Sequence, residues 1–398
     1  MLAVIETHPI QYHAPVYRAL QARCGVPVTV IYGSDFSVVG YRDREFQAEF
    51  SWDTDLLSGY ASVFLSRVQP GAAGDDAPSA RGLREALRQL RPTAVMVVGY
   101  SPHFHRAAWF ETWRAGYPML FRAETNDQAR MRGGLRGGLR ALALTVAYRR
   151  CARLLFIGQR SREHFRQLGV PEQKLVFSPY CVDTTPFQIS EAARESMREA
   201  TRREIGASES DIVVIYSGKL SARKGVDQLV DAVRGLDSSL RERILVLLVG
   251  DGHLRSDLAS LAAVAPRVRV VFAGFRNQRE LSRYYHSSDV LVLASRHSET
   301  WGLVVNEALH HGVPCLVSDQ VGCAPDLIDE GVTGTVFHQG DGEVSLASAL
   351  QRVQAMLGRP DVREACRRKA SEYSVDRAAE GIAEAYAAVS PRAGASAA

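Results

Sequence analysis

The chain has 398 residues, of which 46% are hydrophobic and 23% charged, and its formal net charge is +4. This length favours two domains over a single core, and so small a charge gives no support to a nucleic-acid-binding protein. The sequence has no apolar run near the ~18 residues of a membrane-spanning helix, and its six cysteines are scattered without zinc spacing. Because a predicted strand comes first, we expect no signal peptide and a cytoplasmic protein.

In the first half of the chain, short apolar runs alternate with segments of helical period. This alternation predicts a parallel sheet with crossover helices. The predicted strands are residues 2–6, 27–32, 93–98, 118–122, 153–157 and 174–177. The predicted helices are residues 12–23, 79–90, 102–115, 135–151 and 159–168.

The second half repeats the same pattern. Its predicted strands are residues 211–218, 244–250, 268–274, 289–295 and 314–319, and its predicted helices are residues 224–235, 253–264, 277–285, 302–312 and 323–329. The sequence therefore predicts an α/β protein with two Rossmann-like, doubly wound domains, 1–184 and 185–372, followed by a last helix and a disordered tail in 373–398. Ligands of such sheets bind at the carboxyl ends of the strands, so we expect the site in a cleft between the domains.

The loop after the first predicted strand reads "THPIQYH" and contains no glycine. His8, Gln11 and Tyr12 offer hydrogen-bond donors and acceptors to the hydroxyls of a ligand. The alternative is structural: a histidine that caps the helix at 12–23, with Tyr12 packed inside. For His13 we prefer the structural interpretation.

Two of the four lysines of the chain, Lys219 and Lys224, flank a predicted strand-to-helix loop in "YSGKLSARKG". Gly218 allows the chain to turn there, and the first amides of a helix favour an anion. Two ammonium groups at that position suit a diphosphate; the alternative is a pair of solvated lysines. The G-x-x-x-x-G-K-[ST] pattern of a P-loop is absent.

A second polar loop, "ASRHSETWG" at 294–302, lies between a strand and a helix. Glu299 precedes the helix, Gly302 allows a phosphate to approach the first amides, and Glu307 lies within the helix. For Glu307 the alternative is a solvated carboxylate. "WDTD" at 52–55 imitates the D-x-D pair of metal-dependent sugar transferases but lies outside any clear strand end, so we predict no metal site.

Together these residues resemble the retaining GT-B glycosyltransferases of family 4. The resemblance is carried by Gly218-Lys219, Lys224-Gly225, the spacing of Glu299 and Glu307, "GVPCLVSDQVG" and "DLIDEGVTGTVF". It covers most of the chain and is strongest over 211–338. "THPIQYHAPVYRAL", "PMLFRAETND" and "GVPEQKLVFSPYCVD" are similar to a bacterial branch that builds surface polysaccharides or glycosylates small metabolites.

The resemblance implies a role for each matching residue. Lys219 and Lys224 would hold the donor diphosphate, Glu299 the donor sugar and Glu307 the nucleotide ribose. The amides near Trp301, Gly302 and Leu303 would meet the sugar and phosphates, and Phe275 or Arg276 would border the base. His8, Gln11, Tyr12 and Glu124 would face the acceptor and the reacting sugar. Glu124 departs from the family pattern, because many relatives have a histidine there.

The resemblance also implies a mechanism. Positive charge on the leaving diphosphate would come from the lysines and a helix N-terminus without a metal ion. The leaving phosphate oxygen would take the acceptor proton in a same-face displacement, and residues 180–185 would be the hinge of domain closure. The last helix, around 376–389, would return to the N-terminal domain. The donor would be a nucleotide-diphosphate sugar, with UDP as the preferred nucleotide and GDP second.

The acceptor class stays open in the sequence. Residues 130–155 carry seven arginines and no acid, separated by leucines and alanines. That pattern fits a peripheral contact with an anionic membrane and a lipid-linked acceptor, but equally a solvated helix with a soluble acceptor.

Two other classes of function stay open as well: a sugar-nucleotide epimerase of GT-B architecture and an inactive sugar-binding scaffold. An epimerase would turn over a UDP-sugar without acceptor, whereas a scaffold would bind the donor without turnover. A PLP-dependent phosphorylase is disfavoured, because two of the four lysines are already assigned to the diphosphate.

Overall fold

A computed structural model describes residues 1–39, 41–43, 48–50, 54–68, 78–101, 103–124, 134–265, 267–340 and 344–390. Within these ranges no helix is long and apolar enough to span a membrane. Most of the predicted tail, part of "WDTD" and the first residues of the basic segment 130–155 lie outside the described residues.

The N-terminal half of the chain forms a seven-stranded sheet in the order β5-β2-β1-β6-β7-β8-β9, and every pairing in it is parallel. Its strands are β1 Leu2–Glu6, β2 Val28–Tyr32, β5 Ala61–Phe64, β6 Ala94–Val98, β7 Met119–Arg122, β8 Arg153–Phe156 and β9 Leu175–Phe177. A small antiparallel pair, β3 Tyr41–Asp43 and β4 Ala48–Phe50, is inserted before β5. The helices are α1 Ala14–Ala22, α2 Phe36–Val39, α3 Leu83–Leu90, α4 His103–Arg114, α5 Gly134–Arg150 and α6 Gln159–Gln167.

The C-terminal half forms a parallel six-stranded sheet in the order β12-β11-β10-β13-β14-β15. Its strands are β10 Ile212–Ser217, β11 Ile244–Val249, β12 Arg269–Gly274, β13 Val290–Leu293, β14 Cys315–Ser318 and β15 Gly334–Phe337. The helices are α7 Glu191–Glu204, α8 Val226–Arg234, α9 Ser238–Arg241, α10 Arg255–Val264, α11 Gln278–Ser287, α12 Leu303–His310, α13 Ala324–Leu327, α14 Leu346–Arg352, α15 Pro360–Ser371 and α16 Val375–Ala387.

The central strands are apolar on both sides because helices cover both faces of each sheet. Every residue of β1 is buried. Leu2 and Val4 belong to one core cluster, whereas Ala3 and Ile5 belong to another on the opposite face. β10 is likewise buried along its whole length. The prediction of two Rossmann-like, doubly wound units is confirmed.

Both sheets reverse their strand order at one place, which lies between β1 and β6 in the first and between β10 and β13 in the second. Such a reversal leaves a crevice at the carboxyl ends of the strands. The loops that leave β1, β10 and β13 are therefore the ones that border a ligand crevice, and they contain most of the residues singled out in the sequence.

The chain passes between the two sheets twice. The first crossing follows β9, through the buried residues Tyr180, Cys181 and Val182. The second lies between α15 and α16. α16 packs on α1 and β9 of the N-terminal sheet, and the hydroxyl of Ser178 donates to the carbonyl of Ala378 at 2.9 Å.

Candidate active site

Three glycines hold the basic loop 218–225 against neighbouring strand ends. Gly218 has a φ of 141°, in the region that favours glycine. A Cβ at Gly250 would overlap the carbonyl oxygen of Gly218, and a Cβ at Gly225 would overlap that of Ala294. The loops after β10, β11 and β13 are therefore packed backbone to backbone, and Lys219 and Lys224 lie on this junction.

Lys224 and Glu299 form an ion pair, with Lys224 Nζ 2.5 Å from Glu299 Oε2. The hydroxyl of Ser295 donates to the same oxygen at 2.7 Å, and Arg223 lies 3.9 Å from it. Burial of Glu299 favours its neutral form, but the charge of Lys224 and these hydrogen bonds outweigh burial and lower the pKa of the Glu299 carboxyl. Glu299 is thus a buried, ionised carboxylate held by cations.

The turn at residues 299–302 is held in place by contacts on its interior side. Gly302 has a φ of 101° at the N-cap of α12, and a Cβ there would crowd Leu293 and Val321. The side chain of Trp301 points into the interior, where its indole nitrogen donates to Asn306 Oδ1 at 2.8 Å. Trp301 therefore supports the turn from the interior. Leu303, which is half-buried, is the first residue of α12.

Glu307 is 2% exposed, so the interpretation of a solvated carboxylate is wrong. The hydroxyl of Tyr285 donates to Glu307 Oε2 at 2.6 Å, and Gln278 Nε2 lies 3.5 Å from Oε1. Burial raises the pKa of Glu307 to about 7, and these two hydrogen bonds only partly oppose the rise.

Phe275 and Arg276 follow β12 in the loop before α11, and both are half-buried. The guanidinium of Arg276 donates to the carbonyl of Ala273 at 3.0 Å and lies 5.6 Å from the ring centre of Tyr284. Because Gln278, at the start of α11, reaches Glu307, this loop borders the Glu307 side of the crevice.

A cavity of about 370 Å³ lies between the two domains, mainly against the N-terminal sheet. Glu124, after β7, lies on its wall, and Glu124 Oε2 accepts a hydrogen bond from Thr300 Oγ1 at 2.8 Å. Glu124 thus meets the residue next to Glu299 across the cleft. The other lining side chains with charge or hydrogen-bonding groups are Glu6, Thr7, His13, Tyr100, Ser101, His105, Arg122, Arg140 and Tyr180.

The residues of the first loop, 7–13, do not share one environment. His8 packs against Phe36 with 4.4 Å between ring centres, and burial lowers the pKa of His8 to about 4. Gln11 and Tyr12 line a second cavity of about 270 Å³, together with Gln278 and Arg279 of the C-terminal half. Tyr12 thus lies on the Glu307 side of the cleft, and the nearby charge of Glu307 adds to burial in raising the pKa of the Tyr12 hydroxyl.

His13 begins α1 but makes no side-chain capping hydrogen bond, so the predicted capping role is wrong. Its Nδ1 instead pairs with Glu6 Oε1, and both residues are buried. Glu6 at the end of β1 is thereby fixed beside the 370 Å³ cavity.

Sequence reasoning missed several polar residues around Glu299 and Glu307, namely Arg223, Ser295, Thr300 and Tyr285. Arg223 carried a usable signal, because it adjoins Lys224 in the same basic loop. Ser295, Thr300 and Tyr285 carry none in their local sequence. Among the residues described, no group of three His, Cys, Asp or Glu is placed to hold a metal ion.

Comparison with solved structures gives the same architecture over nearly the whole chain. HepE of Anabaena in complex with UDP has a TM-score of 0.71 at 18% identity, covering 97% of this chain and 99% of that one. WaaG, a glycosyltransferase involved in lipopolysaccharide biosynthesis, has a TM-score of 0.65 at 19% identity, covering 96% and 99%. At such identities the likeness shows a shared fold.

Two family models match the sequence itself. A glycosyl transferase 4-like domain matches residues 9–181, and the glycosyl transferases of group 1 match residues 197–373. The chain belongs to the GT-B glycosyltransferases. The family resemblance seen in the sequence is confirmed at this level, whereas retention and a bacterial branch stay predictions.

Curated relatives of this GT-B glycosyltransferase have different named activities. The α-D-kanosaminyltransferase of Streptomyces kanamyceticus is 29% identical over 250 residues, which is 60% of this chain and 61% of that protein. A D-inositol 3-phosphate glycosyltransferase of Geodermatophilus obscurus is 31% identical over 203 residues, or 48% and 43%. The chain spans about half the length of the curated relatives that it matches.

Proposed function

We propose that the protein transfers a hexose-type sugar from a nucleotide-diphosphate sugar to an acceptor hydroxyl with retention of anomeric configuration. The observation that carries the proposal is the ion pair of Lys224 with the buried Glu299 at the crevice of one sheet, facing Glu124 of the other sheet through Thr300. A cation cluster for a leaving diphosphate and a carboxylate for a sugar thus lie beside an inter-domain cavity.

In this proposal Lys219 and Lys224 bind the diphosphate, and the first amides of α12, near Gly302 and Leu303, add hydrogen bonds. The diphosphate and Glu299 then share the ammonium of Lys224. Glu299, already ionised, accepts hydrogen bonds from the sugar hydroxyls. Charge stabilisation on the leaving group comes from the chain itself, and the proposal includes no metal ion.

Retention is proposed from the resemblance to retaining enzymes, and the surroundings of Glu299 bear on its route, because Glu299 is poorly suited to be a nucleophile. A glycosidase-type double displacement needs a free carboxylate next to the anomeric carbon, with a second carboxyl group about 5 Å away. The Glu299 carboxylate instead accepts from Lys224 and Ser295. A same-face displacement, in which the leaving phosphate oxygen takes the acceptor proton, requires no such residue.

UDP is the preferred nucleotide of the proposal, with GDP second. Support comes from the shared fold with HepE, whose structures contain UDP and UDP-glucose. Glu307, backed by Tyr285, would receive the ribose hydroxyls, while Phe275 and Arg276 would border the base.

The test is a thermal-stability screen of the purified chain with UDP, GDP, ADP, TDP and their common sugars. We expect one nucleotide to raise the melting temperature, and Lys224→Ala to abolish that rise. Lys369→Ala is the matched control, because Lys369 also pairs with acids and its side chain is 19% exposed against 17% for Lys224. If no nucleotide stabilises the wild-type protein at about millimolar concentration, the transferase proposal fails.

We further propose that the acceptor belongs to glycoconjugate or natural-product synthesis and that a lipid-linked acceptor is met at a membrane surface. α5 contains no acidic residue, and it exposes Leu139, Leu142 and Val146 at helical spacing. Phe110 and Trp113 of α4 are also exposed, and Arg150 lies 4.4 Å from the ring centre of Trp113, which joins the two helices. Apolar side chains beside arginines are typical of peripheral binding to anionic lipid.

For the membrane contact, sedimentation with phosphatidylglycerol vesicles and with phosphatidylcholine vesicles is the measurement. We expect the chain to bind only the anionic vesicles and Leu139→Gln/Leu142→Gln to release it, because the exposed apolar side chains provide the burial. Val264→Gln, an equally exposed position in the C-terminal half, is the control. Equal sedimentation with both lipids, or none with either, would contradict the contact.

A further inference from the structure

A further cavity, of about 430 Å³ and distinct from the two described above, lies where the chain passes between the domains. One part of its wall is the first crossing, including Val182, Thr184 and Phe187. Another part is the second crossing, with Tyr373 and Ser374 between α15 and α16. A ligand in this cavity would therefore contact both connections between the domains.

The charged side chains of this cavity are mostly basic. Arg194 of α7 and Arg367 of α15 line it, together with His286 and His310. One carboxylate on the wall, that of Glu191, serves both arginines: it pairs with Arg194, and Arg367 lies 2.9 Å from its other oxygen. Two guanidinium groups thus share a single carboxylate.

Arg194 and His286 also retain unused hydrogen-bonding capacity. Arg194 Nε and His286 Nε2 are buried without a hydrogen-bond partner among the described residues, although buried polar atoms are nearly always paired. Burial, followed by the positive charges of Arg194 and Arg367, lowers the pKa of His286 to about 4. The field at this position is therefore positive and incompletely compensated.

A smaller cavity of about 80 Å³ continues the basic wall. Arg194 and His286 line both cavities, and the smaller one adds three arginines and two carboxylates, namely Arg198, Arg359, Arg363, Glu195 and Asp289. Arg198 forms an ion pair with Asp289, whose Oδ1 lies 2.6 Å from Arg198 Nη2. Arg363 instead adds to the positive charge that, after burial, lowers the pKa of Arg194. An anion between Arg194 and Arg367 would relieve this repulsion.

We propose that the cavity between the two crossings is a binding site for a small polyvalent phosphate anion, held by Arg194 and Arg367 with His310 beside it. Guanidinium groups bind phosphate oxygens in a bidentate manner. The site is separate from the Lys224 crevice, and binding of the anion there does not depend on the proposed transferase function.

A chain of ring contacts connects the site with Glu307. The His286 ring lies 4.6 Å from that of His311, and His311 lies 5.0 Å from the ring of Tyr285, whose hydroxyl donates to Glu307. Phe187, in the first crossing, packs on His311 at 4.9 Å. These contacts connect one wall of the site with the Glu307 side of the crevice and with the first crossing between the domains.

The experiment is calorimetric titration of inorganic phosphate and pyrophosphate into the full chain carrying Lys224→Ala, which removes the competing diphosphate site. We expect one of the two anions to bind, and Arg367→Gln to weaken it about tenfold because a charge-assisted hydrogen bond is lost. Arg368→Gln, one position along the same helix and paired with Glu364, should leave binding unchanged.

Glu191→Gln provides a second test with the opposite sign. It removes the carboxylate that competes for Arg194 and Arg367, so we expect anion binding to become several-fold tighter, a gain that misfolding cannot produce. The proposal is overturned if neither anion binds in the Lys224→Ala background, if Arg368→Gln weakens binding as much as Arg367→Gln, or if Glu191→Gln gives no gain. A nucleotide response at the Lys224 site, measured separately, would survive that failure.

Discussion

The carboxyl group of Glu307 lies in the interior of the C-terminal domain with the hydroxyl of Tyr285 2.6 Å away. Water has been replaced there by a phenol and a distant amide, which stabilise a negative charge less well than solvent does. Its pKa of about 7 means that the group changes protonation state near neutral pH. A ribose hydroxyl bound there would supply a donor that the free protein lacks.

This titration predicts a pH-dependent stability. The pKa of the Glu307 carboxyl is about 7 in the folded state, against the usual value of about 4.5, so the folded state binds this proton more tightly than the unfolded chain does. The resulting stabilisation of the fold is fully present at low pH and is lost as the pH rises through 7. At about 1.4 kcal/mol per pKa unit, the loss amounts to roughly 3 kcal/mol. The Glu307→Gln variant should not show this pH-dependent loss of stability.

The measurement is urea unfolding at about pH 5 and about pH 8, which together span most of the window between the two pKa values. We expect the free energy of unfolding of Glu307→Gln to fall less between these pH values than that of the wild-type protein. Glu163→Gln, an exposed carboxylate on α6, is the control. An identical pH dependence in all three proteins would show that Glu307 is ionised like any surface acid.

At this scale the sequence indicated which residues share the crevice but not how they pair. Lys224 and Glu299 were each predicted from its loop, yet their mutual ion pair depends on the close packing of Gly225 on Ala294, which no local pattern reports. The burial of Glu307 was not predicted, because at helical spacing Glu307 shares one face with Leu303, His310 and His311. Such a mixed face does not show which of its members lies in the interior.

The loops after β10 and β11 show how strand ends determine the shape of a site. Gly250 and Gly252 have φ values of 139° and 156°, and a Cβ on either would overlap backbone of residues 218–220. Their structural role is to let one loop support the loop that carries Lys219.

Gly250→Ala should therefore displace Lys219 without touching any ligand. We expect the thermal shift produced by the stabilising nucleotide to fall by more than half, because the diphosphate loses its preorganised donors, and the variant itself to be less stable. Gly331→Ala is the matched control: it also has a positive φ, 70°, but no atom within 4 Å of its new Cβ. If both variants bind nucleotide like the wild-type protein, the loop contact does not position the site.

Most strands were predicted, because parallel strands covered on both faces are continuous apolar runs. The β3–β4 pair and β5, which is an edge strand without a fully buried residue, were not predicted. α7 was not predicted because the residues it buries are Thr201 and Arg202, which give no apolar stripe. β15 was not predicted either, since Gly334–Phe337 is four residues long and begins with Gly-Thr. Burial achieved through polar contacts or very short strands leaves little periodic signal.

At the level of the whole molecule, the two domains meet tightly at the start of α6. Gly158 lies against the ring of Trp301, and a Cβ at Gly158 would overlap that ring. The backbone N–H of Gln159 donates a hydrogen bond to Asp326 Oδ1 at 2.9 Å. Burial raises the pKa of the Asp326 carboxyl to about 6, which the amide only partly offsets. These contacts join residues far apart in the chain, so the sequence predicted the cleft but not its contacts.

Gly158→Ala should hold the domains apart at this point. We expect a larger radius of gyration in small-angle scattering, with an unchanged response to nucleotide, because Lys224 and Glu307 both lie in the C-terminal domain. Gly138→Ala, on α5 of the same domain and with open space around it, is the control. An unchanged radius of gyration in Gly158→Ala would mean that the interface adapts to the added methyl group.

The return of α16 to the N-terminal domain gives the molecule two connections between its lobes, and two connections define an axis. A body attached at one point can turn in three directions, whereas a body attached at two points can only rotate about the line through them. Swinging about this line remains available, and twisting or sliding of one lobe over the other is lost. A rotation of the lobes about this line would bring Thr300 back to Glu124 in the same orientation, so the route of the chain itself aligns the two faces of the cleft.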